Sequence, residues 1–159
     1  MSNLNLVVVE ALVSHFERLG AQVQELAAPL DDEQFWRRPF AFGNSFGHLV
    51  LHLTGNLKYY IGAEIAGSGY VRDREREFAE PERPSKKDVM SRFDEAVEIV
   101  VKTLRTQSDQ DWGKTYTALR EEDAGNRFGI FLRCASHLHH HVGQMTYLAA
   151  QLARKDGSA

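Results

Sequence analysis

Histidine is the residue type in this chain whose placement could carry chemistry. Six of the seven histidines lie in two short segments, His48 and His52 in one and His137, His139, His140 and His141 in the other. Neutral imidazole is a common ligand for divalent transition metals. Residues four apart sit one turn apart on one helix face, so a helical reading pairs His48 with His52 and His137 with His141. At about 100° per residue, His137 and His141 share an arc with Ile130, Cys134, Met145 and Leu148, the face that should enter a core. His139 then points nearly opposite and His140 to the flank. In the other segment Ser45, His48, Leu49, His52, Asn56 and Tyr60 fall on one stripe. Imidazoles thus stand where the period calls for hydrocarbon, and burying each ring unpaired would cost about 1–3 kcal/mol. A single such histidine reads as a hydrogen-bonded core residue, whereas inward pairs on two helices are an arrangement from which helical bundles build metal sites. Three imidazoles without a thiolate or carboxylate would leave a coordination position open, as in catalytic rather than structural sites.

The elements that must position these histidines are helices. The four prolines, at 29, 39, 81 and 84, leave long stretches free of breakers. Leu12, Phe16, Leu19, Val23 and Leu26 step by four and three, which predicts a first helix over about residues 5–28, ended by Pro29. A second is predicted over 44–67, from Asn44 or Ser45 as N-cap to the Gly67-Ser68-Gly69 cluster. Ser85 and Asp88 read as a capping box opening a third helix over 85–107, with Val89, Phe93, Val97, Val100 and Leu104 as its stripe. Asn126 caps a fourth, over 126–154, and the tail from Lys155 to Ala159 is expected to fray. Residues 108–126 read as an irregular connection with room for a short strand at Thr115 to Leu119. Four long helices imply an all-α fold, a four-helix bundle. The polar stretch from Tyr70 to Pro84 exceeds the usual link of about 2–8 residues between antiparallel neighbours, so this crossover is expected to make helices two and three parallel. Within it, the run Arg72 to Glu77 reads as a solvated charged loop, or as a set of arginines at the bundle mouth facing an anionic substrate. Trp36 and Trp112 are expected to cover the core.

Composition narrows the function classes. A chain of 159 residues is expected to form one domain, and its single cysteine excludes an internal disulfide framework. With 19 Lys and Arg against 22 Asp and Glu, no broad nucleic-acid or anionic-membrane surface is expected. No apolar run approaches a membrane span, and the opening Met-Ser-Asn-Leu-Asn-Leu lacks the basic region of a signal peptide, so the cytoplasm is the expected location. No Gly-rich phosphate loop, nucleophile triad signature or CxxC pair is present.

Residues 44–56, Asn-Ser-Phe-Gly-His-Leu-Val-Leu-His-Leu-Thr-Gly-Asn, and 137–145, His-Leu-His-His-His-Val-Gly-Gln-Met, resemble the two signature segments of the DinB/YfiT-like superfamily. The approach segment from Leu30 to Pro39, with Glu33 and Trp36, and Arg-Glu-Phe at 76–78 are similar to that family as well. The resemblance covers nearly the whole chain. It implies a four-helix bundle with parallel second and third helices, commonly a homodimer, and a divalent metal such as Zn or Ni. The implied ligands are His52, directly before Leu-Thr-Gly-Asn, and the pair His137 and His141. His48 stands where relatives need no histidine, and reads as a donor to a ligand, an alternative ligand or a core residue. Asn56 and Gln144 are candidates to orient ligands or substrate, or else buried packing amides. Cys134 reads as packing.

A divalent ion on neutral imidazoles lowers the pKa of bound water and deprotonates a coordinated thiol. The resemblance favours transfer of a low-molecular-weight thiol to an electrophilic small molecule. Hydrolysis of an ester or amide is the alternative enzyme reading, and a metal-binding or stress-response dimer without catalysis is the non-enzymatic one.

Overall fold

The computed structural model describes residues 3–154, and the predicted fraying from Lys155 onward lies outside the described residues. The chain is mainly helical. In order, its elements are α1 (Asn3–Ala27), α2 (Asp32–Trp36), α3 (Phe46–Leu57), a π-helical turn continuing α3 (Lys58–Ala63), α4 (Arg74–Ala79), α5 (Lys86–Arg105), β1 (Thr115–Tyr116), β2 (Gly125–Asn126) and α6 (Arg127–Leu152).

The long helices start where side chains can satisfy their first free N–H groups. Ser45 accepts from the His48 N–H, Ser85 from Asp88 and Asn126 from Gly129. The predicted second helix over 44–67 is regular only to Leu57, and its last part widens into the π turn that carries buried Tyr60 and Ile61. Two short helices escaped prediction because neither is long enough to show a period. α2 is fixed by a reciprocal capping box between Asp31 and Gln34, and α4 by Asp73 accepting from the Arg76 N–H. The strand expected near Thr115 to Leu119 shortens to two residues, Thr115 opposite Asn126 and Tyr116 opposite Gly125, in an antiparallel pair.

α1 packs on α5 and α6, and α3 packs on the same two helices. Phe16, Phe46, Phe93 and Phe131, one from each long helix, are fully buried between them. Polar pairs stitch the edges: Gln24 to Asp94 at 2.6 Å, Arg105 to Glu17 at 3.6 Å and Lys58 to Glu95 at 3.0 Å. Trp36 is buried and donates through Nε1 to the Pro84 carbonyl, while half-buried Trp112 donates to Asn5 Oδ1. Among the described residues no helix is long and apolar enough to cross a membrane.

Candidate metal centre

α3 brings His52 against His137 and His141 of α6. The His137 Nε2 atom lies 3.1 Å from Nε2 of His52 and 3.0 Å from Nε2 of His141. The three rings cross at 75°, 83° and 88°, so ring edges rather than faces converge. One nitrogen from each ring falls within 4.8 Å of the other two.

The outward nitrogens fix what the inward ones can do. Nδ1 of His52 is 2.8 Å from Glu77 Oε2, and Nδ1 of His141 is 2.7 Å from Gln144 Oε1. Both partners are acceptors, and although the Arg72 Nη2 donor also stands 3.3 Å from His52 Nδ1, the shorter contact to Glu77 assigns the proton to Nδ1 in each ring and leaves an Nε2 lone pair facing inward. A single proton on His137 Nε2 could be shared with one of those lone pairs, leaving the other opposed to a filled orbital. A divalent cation at the meeting point would satisfy all three at once. The donor set therefore fits a metal. His137 Nδ1 is buried without a partner among the described residues, where this ring is held by packing rather than by an outer hydrogen bond.

Burial disfavours charge on the two rings of α6. It is the main cause that brings His137 down to about 3, with His141 and His52 adding to it, and it brings His141 down to about 4 against the raising effect of Gln144. Both rings are neutral near pH 7, the form that ligates.

Glu77 is the functional residue that the sequence reading placed in solvent. It is buried beneath His52, and Arg72 grips it with two bonds, Nε to Oε1 at 2.7 Å and Nη2 to Oε2 at 2.8 Å. Phe78 covers the His52 ring with centroids 4.7 Å apart. Gly55 makes room for this carboxylate, since a Cβ there would stand 1.9 Å from Glu77 Oε1. The expected solvated loop is thus corrected in part: Arg72 and Glu77 form an ion pair that backs a histidine, and Arg76 pairs with Glu80 and Glu82. Two signals pointed this way, the Arg-Glu-Phe resemblance at 76–78 and the glycine three residues after His52.

His48 lies outside the cluster. Its Nδ1 is 2.6 Å from the Ser45 hydroxyl, its ring meets Trp36 edge-on at 5.2 Å, and burial lowers its pKa. Asn56 is buried one turn beyond His52, its Oδ1 without a partner among the described residues. Gln144 is exposed; besides meeting His141 it places Nε2 3.2 Å from His140. His139 is a surface residue near His15. Cys134 is buried, and that burial pushes its thiol pKa far up.

A mainly helical chain with three imidazole edges meeting between two of its long helices defines a helical protein with a candidate three-histidine centre. The chain matches the family model of the DinB superfamily over residues 15–145 and belongs to that superfamily. A solved structure described as a conserved protein of locus from Enterococcus faecalis has the same fold, with a TM-score of 0.76 over 93% of this chain and 98% of that one, at 14% identity. A comparison with curated proteins gave no match.

Proposed function

We propose that this chain binds a divalent transition metal through His52, His137 and His141 and transfers a low-molecular-weight thiol to an electrophilic small molecule. The observation that carries the reading is the convergence of three Nε2 atoms, two of them with their protons assigned to the outward Nδ1. When bound, the metal would supply Lewis acidity and a means of holding a thiol as its thiolate. The chain supplies the rest. Glu77, fixed by Arg72, orients His52, and Gln144 orients His141. Thiol transfer is favoured over hydrolysis by the resemblance of residues 44–56 and 137–145 to the superfamily's signature segments, and Glu77, engaged by His52 and Arg72, adds no free base beside the cluster. Buried Cys134 is no nucleophile, so the thiol would come from outside.

The same reading takes the fold to be a single four-helix bundle with α3 and α5 parallel. Lys58 meets Glu95 and the Gly62 position meets Ile99, ascending together, whereas Gln24 meets Asp94 and Glu17 meets Arg105, descending against each other. A cytoplasmic homodimer completes it; exposed Leu4 and Val7 of α1 and Leu132 of α6 are the apolar side chains that such contact would use.

The test is metal content. Protein stripped with a chelator and dialysed against Zn²⁺, Ni²⁺ or Mn²⁺ should retain about one ion per chain, and His52→Ala, His137→Ala or His141→Ala should retain none. His139→Ala and His140→Ala should behave as the parent. Retention of none by the parent, or equal tolerance at all five positions, would overturn the reading. Turnover of electrophiles that is independent of added thiol would overturn the transferase in favour of the hydrolase.

A further inference from the structure

The groove between α3 and α6 does not end at the histidines. One turn before His52 on α3 stands Leu49, and one turn or two beyond His141 on α6 stand Gln144 and Leu148. Together with Phe40, Phe42 and Tyr147 these residues line a cleft of about 310 Å³ that contains no charged side chain. Leu49 and Leu148 are buried, whereas Phe42 and Tyr147 are about 80% and 79% exposed. Phe40 and Phe42 stack at 5.8 Å and 14°. Aromatic rings left this open beside a recessed aliphatic surface mark a recognition site.

We propose that this cleft is the acceptor subsite, and that the electrophile it takes is a neutral molecule carrying a flat, single-ring apolar group. The proposal rests on the metal-dependent reading above. Three features select the occupant. The uncharged lining offers no charged partner to an anion, which would lose hydration there without compensation. The volume lies at the lower end of small-molecule sites, enough for one ring with a short substituent and too little for a docked helix. Stacked Phe40 and Phe42 with Tyr147 offer ring faces and edges to an aromatic guest. Gln144 joins the cleft to the centre: it lines the cleft while its Oε1 accepts from His141. A ring seated on Leu49 and Leu148 would direct its substituent along the groove toward His52 and His141.

The experiment uses the full chain and an unreactive probe, 4-nitrobenzyl alcohol, followed by its NMR resonances. The probe should bind saturably to both metal-free and Zn²⁺-loaded protein, whereas ethanol and 4-nitrobenzoate should bind at least tenfold more weakly. Loading with Mn²⁺ instead should broaden the probe resonances, because the cleft adjoins the centre. Phe42→Ala/Tyr147→Ala, which alters two exposed side chains, should weaken the probe at least tenfold and leave metal content unchanged. No saturable binding, equal binding of the carboxylate, or unaltered binding to the double variant would overturn the proposal. So would a change of sedimentation in the double variant without probe binding, which would make the patch an interface between copies. A parent chain that binds the probe but retains no ion after dialysis against Zn²⁺, Ni²⁺ or Mn²⁺ would instead sink the metal reading and leave the cleft standing; metal retained without probe binding would do the reverse.

Discussion

Glu77 shows how one buried carboxylate can set the properties of a neighbouring imidazole. With Arg72 holding both its oxygens, it keeps His52 in the Nδ1–H tautomer and presents the Nε2 lone pair to the cluster. Outer partners of this kind are worth about 10–100-fold in metal affinity. Glu77→Gln should therefore weaken Zn²⁺ by about that factor in a competition titration, while its circular dichroism matches the parent; unchanged affinity would reduce Glu77 to a packing role. Gly55→Ala should act through the same carboxylate, since the new Cβ would occupy the place of Oε1. It should lower both affinity and Tm in the parent and do neither in a Glu77→Ala background, a non-additivity expected of two groups in direct conflict. The pH dependence of the metal-free chain follows from the two other rings. His137 and His141 titrate at about 3 and about 4 in the folded chain, below the ordinary 6.5. Between 6.5 and those values the unfolded chain binds more protons, so stability is full above pH 6.5 and is lost as pH falls. Each ring contributes up to about 1.4 kcal/mol per pH unit, less for the more accessible His141. His48, lowered in the same direction by burial, adds to the slope. Urea midpoints of chelator-treated protein should fall steadily from pH 7 to pH 5, and His137→Leu should flatten the curve; a parental slope in that variant would contradict the assignment.

Among the elements, those that fold on their own periodicity differ from those held by a single tertiary bond. Ser45 illustrates the first kind with an added duty, since its hydroxyl accepts from the His48 N–H and also lies 2.6 Å from the His48 ring. Ser85 makes only the cap of α5. Ser85→Ala should cost about 1 kcal/mol, the usual worth of a cap, and Ser45→Ala more, because a buried imidazole nitrogen is left unpaired as well. Equal losses in urea denaturation would show that the ring bond contributes nothing. α1, α3, α5 and α6 were legible because each carries an apolar stripe and all but α1 open on a capping side chain, narrowed for α3 to Asn44 or Ser45. The inward stripe also singled out the histidine pairs, and the resemblance selected His52, His137 and His141 from them. α4 was not legible. Arg-Asp-Arg-Glu-Arg-Glu has the composition of a solvated run, and what buries Glu77 is a partner 25 residues away on α3 together with the space left by Gly55. The π turn after Leu57 was equally hidden, because one extra residue per turn hardly disturbs an apolar pattern as short as Tyr60 and Ile61. The cleft beside the centre depends on the loop that carries Phe40 and Phe42, whose path no helical period encodes.

At the scale of the whole molecule the three-histidine cluster is a joint. It ties α3 to α6 through imidazoles, and through Glu77 it ties the crossover segment carrying α4 to α3. An ion that binds only the folded chain stabilises it by mass action, by about 4.1 kcal/mol at a free concentration 1,000 times its Kd. For a chain of this size that corresponds to a rise of about 8–16 °C in Tm. Zn²⁺ should produce a rise of this order in the parent and none in His52→Ala. The gain should be uneven along the chain. α1 reaches α6 and α5 through buried apolar contacts such as Phe16 and Leu19, which need no metal. α4 has six residues, and its buried side chain is Glu77, so its attachment rests on the bond to His52 and the grip of Arg72, with Phe78 against the His52 ring and Arg38 donating to the Phe78 carbonyl. Chelation should therefore raise amide exchange in residues 74–79 and around His52 well before it does so in α1, whose protection should track global stability. Exchange that accelerates uniformly on removing the ion would mean that the centre stabilises the fold as a whole and does not organise the crossover. Absence of any Tm shift with Zn²⁺, Ni²⁺ or Mn²⁺ would mean that the imidazoles meet for packing alone.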